Sequence, residues 1–253
     1  IRDLIQPTYE NFARETQIGG RKFMSTDFGA HIVSTHFELN SKTQTSAAAL
    51  FVDVTAAFYS AIRQLTMRMH NSDEEVATLL SELGLPPEAM AELHAEIKGQ
   101  SVLNEAGMDS HMEDVVAEMH KQTWFSTQGV QQVVESRIGT MPGAPFADII
   151  FGFCLRRCLQ EIANDLDSIG IDNQLIWSGR NGPIEGDGNN HRATTKLEDV
   201  TWADDAVWLI SDKRPFQLAE KLCKAAGFIW DRMKRKNLKL NMDPGKTHAM
   251  IMF

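Results

Sequence analysis

The chain has 253 residues, 43% of them hydrophobic and 23% charged, and a formal net charge of −9. That balance suits a core-forming protein of one large domain or two small ones, and excludes a disordered or fibrous chain. No apolar run reaches the ~18 residues of a membrane helix, so no membrane partner is expected.

Three cysteines (Cys154, Cys158, Cys223) make an odd count, which suits a reducing, intracellular setting, nucleus or cytoplasm, better than a disulfide scaffold. Ile1 opens the sequence with no basic-then-apolar leader, so it reads as a piece of a longer chain.

A first helix ends in a turn at Gly19-Gly20, and a second is expected from Thr26 to about Leu39, with Phe28, Ile32, Val33, His36 and Phe37 on one side. The apolar run Ala47 to Val54 predicts a buried strand, and a helix should follow from Ala56 to about Met69. Ser72-Asp73-Glu74-Glu75 has the N-cap and N3 residues of a capping box. Pro86-Pro87-Glu88 opens a further helix, and Asp109 or Ser110 a third.

Gln131 to Ile138 alternates like a strand and meets a breaker, Gly139 to Pro145, before a long apolar helix from about Phe146 to Leu166. Residues 179–195, rich in Gly, Asn and Thr, read as a loop. Two apolar arms around Asp204-Asp205 predict a hairpin over Thr201 to Ile210. A helix from about Pro215 to Arg235 and strands at about 237–241 and 247–253 follow. The non-alternating order predicts an α+β fold, a small sheet with helices on one face.

Charge is unevenly spread. Residues 72–120 hold 12 acidic side chains against Lys98 alone, whereas 212–246 hold 10 Lys or Arg against 4 acids. These are either two solvated faces of opposite sign, or a basic segment suited to phosphate with an acidic block kept away from it.

Three carboxylates stand out. Asp53 interrupts an apolar strand, where a buried charge is costly unless paired or metal-bound. Asp204 and Asp205 are adjacent like charges at a turn, tolerable in an Asx-type turn in water or beside a cation. Together they are a donor set for hard cations such as Mg²⁺, which prefer oxygen ligands.

At these residues the sequence resembles the reverse transcriptases of non-LTR, LINE-like retroelements. Phe51-Val52-Asp53-Val54-Thr55-Ala56-Ala57-Phe58 is similar to their motif A, and Trp202-Ala203-Asp204-Asp205 to motif C. Between them Gly139-Thr140-Met141-Pro142-Gly143-Ala144-Pro145 resembles motif B, the loop entering a long helix. Leu238-Lys239-Leu240-Asn241 and Pro244-Gly245-Lys246-Thr247 resemble motif D, and Gln17-Ile18-Gly19-Gly20 the segment before motif A. Pro142 replaces the family's Gln, Ala147-Asp148 its Ser-Pro, and Trp202 the usual Tyr or Phe.

The resemblance implies a polymerase palm, with a small antiparallel sheet backed by helices, partial fingers, a helical acidic insert and no thumb. The implied division is 1–46 as entry segment, 47–71 as motif A strand and helix, 72–125 as acidic insert and 126–253 as the rest of the palm. It implies transfer of dNTPs onto a DNA primer along an RNA template, with two Mg²⁺ (or Mn²⁺) ions held by Asp53, Asp204 and Asp205. Fingers, thumb and endonuclease segments would lie outside this chain.

In this reading Lys246 assists the departing pyrophosphate, and Ala57, Phe58, Pro142 and Gly143 line the nucleotide site. Phe58 has the family's place for rejecting a ribose 2′-hydroxyl, and Trp202, Lys234, Arg235 and Lys236 meet nucleic acid. The basic segment should face nucleic acid and the acidic block project away from it. Phe58 also reads as a core aromatic, and Lys246 as a solvated loop residue. The alternative function is a non-catalytic or decayed domain of this kind that binds only RNA or protein.

Other candidates are plainer. Cys154 and Cys158, at i and i+4 on an apolar helix, read as core, and His31 and His36 share no helical face well. Gly182, Gly186 and Gly188 lack the strand-turn-helix context of a phosphate loop. Trp124-Phe125 reads as core packing or, less simply, as a stacking platform.

Overall fold

The computed structural model describes residues 1–126, 128–129, 131–141, 143–171, 174–178 and 192–253. Pro142 and the greater part of the expected 179–195 loop, with Gly182, Gly186 and Gly188, lie outside the described residues. Helices α1 (Arg2–Phe12) and α2 (Thr26–Lys42) precede strand β1 (Ser46–Val52), the short β2 (Val54–Thr55) and two single turns, α3 (Ala57–Ser60) and α4 (Arg63–Thr66). The acidic stretch forms α5 (Asp73–Glu82), α6 (Pro87–Lys98), α7 (Val102–Glu105) and α8 (Ser110–His120), then a hairpin of β3 (Thr123–Ser126) and β4 (Val133–Ser136).

A long helix α9 (Ala147–Ser168) follows, then hairpin β5 (Gln174–Ser178) with β6 (Arg192–Lys196) and hairpin β7 (Asp199–Trp202) with β8 (Asp205–Asp212). Helix α10 (Pro215–Arg235), β9 (Lys239–Leu240) and β10 (His248–Met252) complete the order. The fold is α+β: ten helices among the described residues, with a four-stranded antiparallel sheet in the order β10-β1-β8-β7 and small two-stranded pairs. No helix among the described residues is long and apolar enough to cross a membrane.

The period-two pattern of β1 sends alternate side chains to two cores. Ala48, Leu50 and Val52, with Ala206, Trp208 and Ile210 of β8, face Phe151 and Leu159 of α9 and Leu222 and Ile229 of α10. On the other face Ala49, Val207 and Leu209 pack under Ile32, Val33 and Phe37 of α2. The expectation of helices on one face is therefore corrected: β1 is apolar on both sides because both are covered. Trp208, 1% exposed in the middle of the larger core, is the side chain whose truncation would cost most there, about 3–5 kcal/mol.

The helix expected over Ala56 to Met69 is two single turns instead. Its carbonyls are claimed from elsewhere: Phe58 O accepts from Thr140 N at 2.8 Å, Ala61 O from Gly139 N at 2.7 Å and Ser60 O from the Asn237 amide at 2.9 Å. With those acceptors taken, the chain bends at the fully buried Ala61-Ile62 pair, both residues extended.

The capping box formed as expected: Glu75 N donates to Ser72 Oγ at 3.2 Å and Ser72 N to Glu75 Oε2 at 2.7 Å. Asp109 caps α8. Trp124 and Phe125 are 67% and 52% exposed on β3, so neither is core.

The charge segregation is also corrected. Within the acidic block, α6 does not stand apart from the basic segment but pairs with the end of α10: Arg235 with Glu92 at 3.2 Å, and Lys236 with Glu96. From α9, Glu161 reaches Lys236 at 3.1 Å and Asp165 meets Arg232 at 2.6 Å. Opposite charges placed on facing helices neutralise one another; Lys236 is only 5% exposed and Arg235 is tied to Glu92 and Asp231, leaving Lys234 of the three outward.

Candidate active site

Neighbouring antiparallel strands bring the three aspartates to one end of the sheet. Val52 pairs with Ala206, so Asp53 leaves the end of β1 beside Asp205, the first residue of β8. Trp202 pairs with Asp205 across a two-residue loop, in which Ala203 adopts a left-handed φ of 53° and Asp204 sits at the tip.

A segment ahead of α2 supports this hairpin from the edge. Ile18 N and Gly19 N both donate to Thr201 O, at 2.9 and 3.2 Å, and Gln17 bridges Thr201 in parallel. Gly19 is required by space: a Cβ there would stand 2.2 Å from Ala203 N. The buried Gln17 amide donates to Gly152 O at 2.7 Å, tying the segment to α9.

The residues after β9 hold Asp53 from the other side. Asn241 N donates to Asp53 O at 2.8 Å, and Asp53 N donates to Thr247 Oγ1 at 3.2 Å. These contacts place Lys246 Nζ 3.9 Å from Asp53 Oδ1. Burial, then the charges of Asp204 and Asp53, push the Asp205 carboxyl above the ordinary aspartate range, and Lys246 opposes them. The other three groups therefore all act on Asp205.

Beside them lies a cleft of about 630 Å³ whose floor is the α2 side of the sheet (Phe51, Val207, His248) and whose wall is α2 (Thr26, Gly29, Ala30); Asp204, at the hairpin tip, is not part of its lining. Trp202, Asp53, Asp205 and Lys246 line it too. Oxygen donors at a like-charged cluster are the chemistry that a hard cation relieves. Among the described residues, however, no three His, Cys, Asp or Glu side chains stand close enough together to enclose a metal ion.

Phe58 is half-buried, its ring stacked on Phe151 at 4.7 Å between centroids, and Ala57 is buried. Gly143 is exposed with a φ of 97°, a left-handed conformation that favours glycine, and a Cβ there would meet nothing within 4 Å. Cys158 is buried with its Sγ 3.8 Å from Met233 Sδ, and Cys154 is packed against the same core, as the plainer reading had it. His36 is buried, its Nε2 against Ile210 O at 3.3 Å.

Sequence reasoning gave no role of their own to three residues of this region, Thr247 among them although it stands in the motif D segment. Thr247 grips the Asp53 backbone, and His248 stacks on Phe51 at 5.1 Å in the cleft floor. Arg63 is the third, and its signal was legible: a cation directly after the apolar pair Ala61-Ile62. Comparison with protein-family models and with curated proteins finds no match for this chain.

Proposed function

We propose that the chain is the palm of an RNA-directed DNA polymerase, a reverse transcriptase of the non-LTR, LINE-like kind. The observation that supports it best is the meeting of Asp53, Asp204-Asp205 and Lys246 at one end of an antiparallel sheet, from segments far apart in sequence. Mg²⁺ needs only one or two carboxylates beside water and substrate phosphate, so Asp53, Asp204 and Asp205, which do not enclose an ion by themselves, would hold Mg²⁺ (or Mn²⁺) as separate ligands; when bound it supplies activation of the primer 3′-hydroxyl and neutralisation of the leaving pyrophosphate.

The chain's own side chains supply position and selectivity. Lys246, its ammonium beside Asp53, offers positive charge and a proton to the departing pyrophosphate oxygen. Phe58, half-buried and stacked on Phe151, would supply the ring that a ribose 2′-hydroxyl strikes. Gly143 lets the backbone approach an incoming nucleotide where a side chain would intervene. Trp202 borders the cleft as a surface for the primer end, and Lys234 is left outward to meet phosphate.

Primer extension on an RNA template tests this, with the protein in its full reading frame and Mg²⁺ or Mn²⁺ present. Asp53→Asn and Asp204→Asn should each abolish extension while the fold persists, because Asn keeps the shape and removes the charge. Phe58→Val should admit ribonucleotides. Substantial extension by either Asn variant overturns the metal assignment. Template binding by the wild type without any extension supports the non-catalytic alternative instead.

A further inference from the structure

Arg63 is 2% exposed, yet no carboxylate pairs with it among the described residues; burial alone pulls its guanidinium down, to about 10, still cationic at neutral pH. A buried charge in that position is tolerable only when its donors are satisfied. Here every nitrogen is used. Nε donates to Gly139 O; Nη1 to His120 O at 2.7 Å, Thr123 Oγ1 at 2.9 Å and Ser136 O at 2.9 Å; and Nη2 to Ser136 Oγ at 3.1 Å. One planar fork thus joins the end of α8, both strands of the β3-β4 hairpin and the start of the 139–145 loop.

What the fork holds in turn holds Phe58. Gly139, with its carbonyl on Arg63, lies so close that a Cβ would stand 2.9 Å from Phe58 O and 3.0 Å from Tyr59 Cα. Its amide and that of Thr140 clamp Ala61 O and Phe58 O. Gly139 is itself left-handed, at a φ of 90°. The path from Arg63 to Phe58 therefore crosses only Gly139 and Thr140.

We propose that Arg63 is a positioning residue that fixes Gly139 and Thr140 against Phe58 and thereby sets nucleotide affinity and sugar discrimination. The anchoring half stands on the contacts alone; the nucleotide half rests on the polymerase reading. Lys cannot replace the fork, since a single ammonium presents three donors from one point to acceptors spread over three elements.

The test uses Arg63→Met, Arg63→Lys and Arg63→Ala in the full protein, with two readouts. Amide hydrogen exchange should accelerate at Gly139 and Thr140 by at least about tenfold in each variant, with Leu209 in the sheet core unchanged. In primer extension, KM for a dNTP should rise roughly tenfold with kcat nearly kept, and preference for dNTP over rNTP should fall by a similar factor. Low, non-denaturing guanidinium should restore the Ala variant, and tetramethylammonium should not. The Lys variant, which keeps charge and bulk, serves if Met or Ala unfolds the chain.

Unchanged exchange at Gly139 and Thr140 in a folded variant overturns the anchoring. Faster exchange with unchanged KM and discrimination overturns the nucleotide role alone. A wild type without polymerase activity overturns the polymerase reading and the nucleotide role that rests on it, while the exchange readout still decides the anchoring.

Discussion

Gly19→Ala puts the edge support of the Asp204-Asp205 hairpin to the test. The added methyl would stand 2.2 Å from Ala203 N and 3.1 Å from both Trp202 C and Trp202 Cα, and all three are backbone atoms with no rotamer to yield. The segment must retreat, loosening the bonds from Ile18 N and Gly19 N to Thr201 O and from Thr201 N to Thr16 O. Two or three backbone hydrogen bonds at about 0.5–1.5 kcal/mol each, with overpacking of about 1–3 kcal/mol, give a loss of about 2–7 kcal/mol. Gly227→Ala is the control: it lies exposed inside α10 with nothing within 4 Å of the new Cβ, and should stabilise by about 0.5–1 kcal/mol. Equilibrium urea unfolding measures both. A Gly19→Ala protein within about 0.5 kcal/mol of wild type would refute the close approach, and with it the account of how the hairpin is held.

His120 should make stability depend on pH. Its Nδ1 donates to Val116 O at 2.8 Å, its buried Nε2 has no acceptor for a second proton, and burial lowers its pKa from the ordinary 6.5. The unfolded chain therefore takes the proton first, so the contribution is full above about 6.5 and lost as pH falls through the lower folded value. Unfolding curves at pH 7.5 and about 5 should diverge more for wild type than for His120→Phe; equal divergence would show that His120 does not titrate on folding. At the α6-α10 junction, Glu96→Gln with Glu161→Gln strands the Lys236 ammonium in a buried site and should cost about 3–5 kcal/mol. Lys236→Met should cost less, since both acids keep part of their access to water, and the reverse order in denaturant melts would mean that Lys236 is not held by this pair.

Features written within one turn or hairpin were legible in the sequence. The bounds of α10, opened by Pro215 and closed after Arg235, the Ser72-Glu75 capping box and the hairpin at Asp204 each depend on neighbours a few residues away, although the loop is Ala203-Asp204 and not the expected Asp204-Asp205. The candidate carboxylates were legible for a related reason, since a charge in an apolar strand or two like charges at a turn conflict with their local setting. Their meeting was decided by the pairing of β1 with β8, which no local pattern specifies.

The same limit explains the corrections. The turns after Asp53 break because Gly139, Thr140 and Asn237 claim carbonyls that a helix would have used. The basic end of α10 is spent on α6 and α9 because packing sets them face to face, whereas charge along the chain suggested separation. Hydrogen-bond and charge preferences are properties of residues, but partners are properties of the fold: Arg63 carries five donors in any conformation, and only the tertiary structure brings Gly139, His120, Thr123 and Ser136 to meet them.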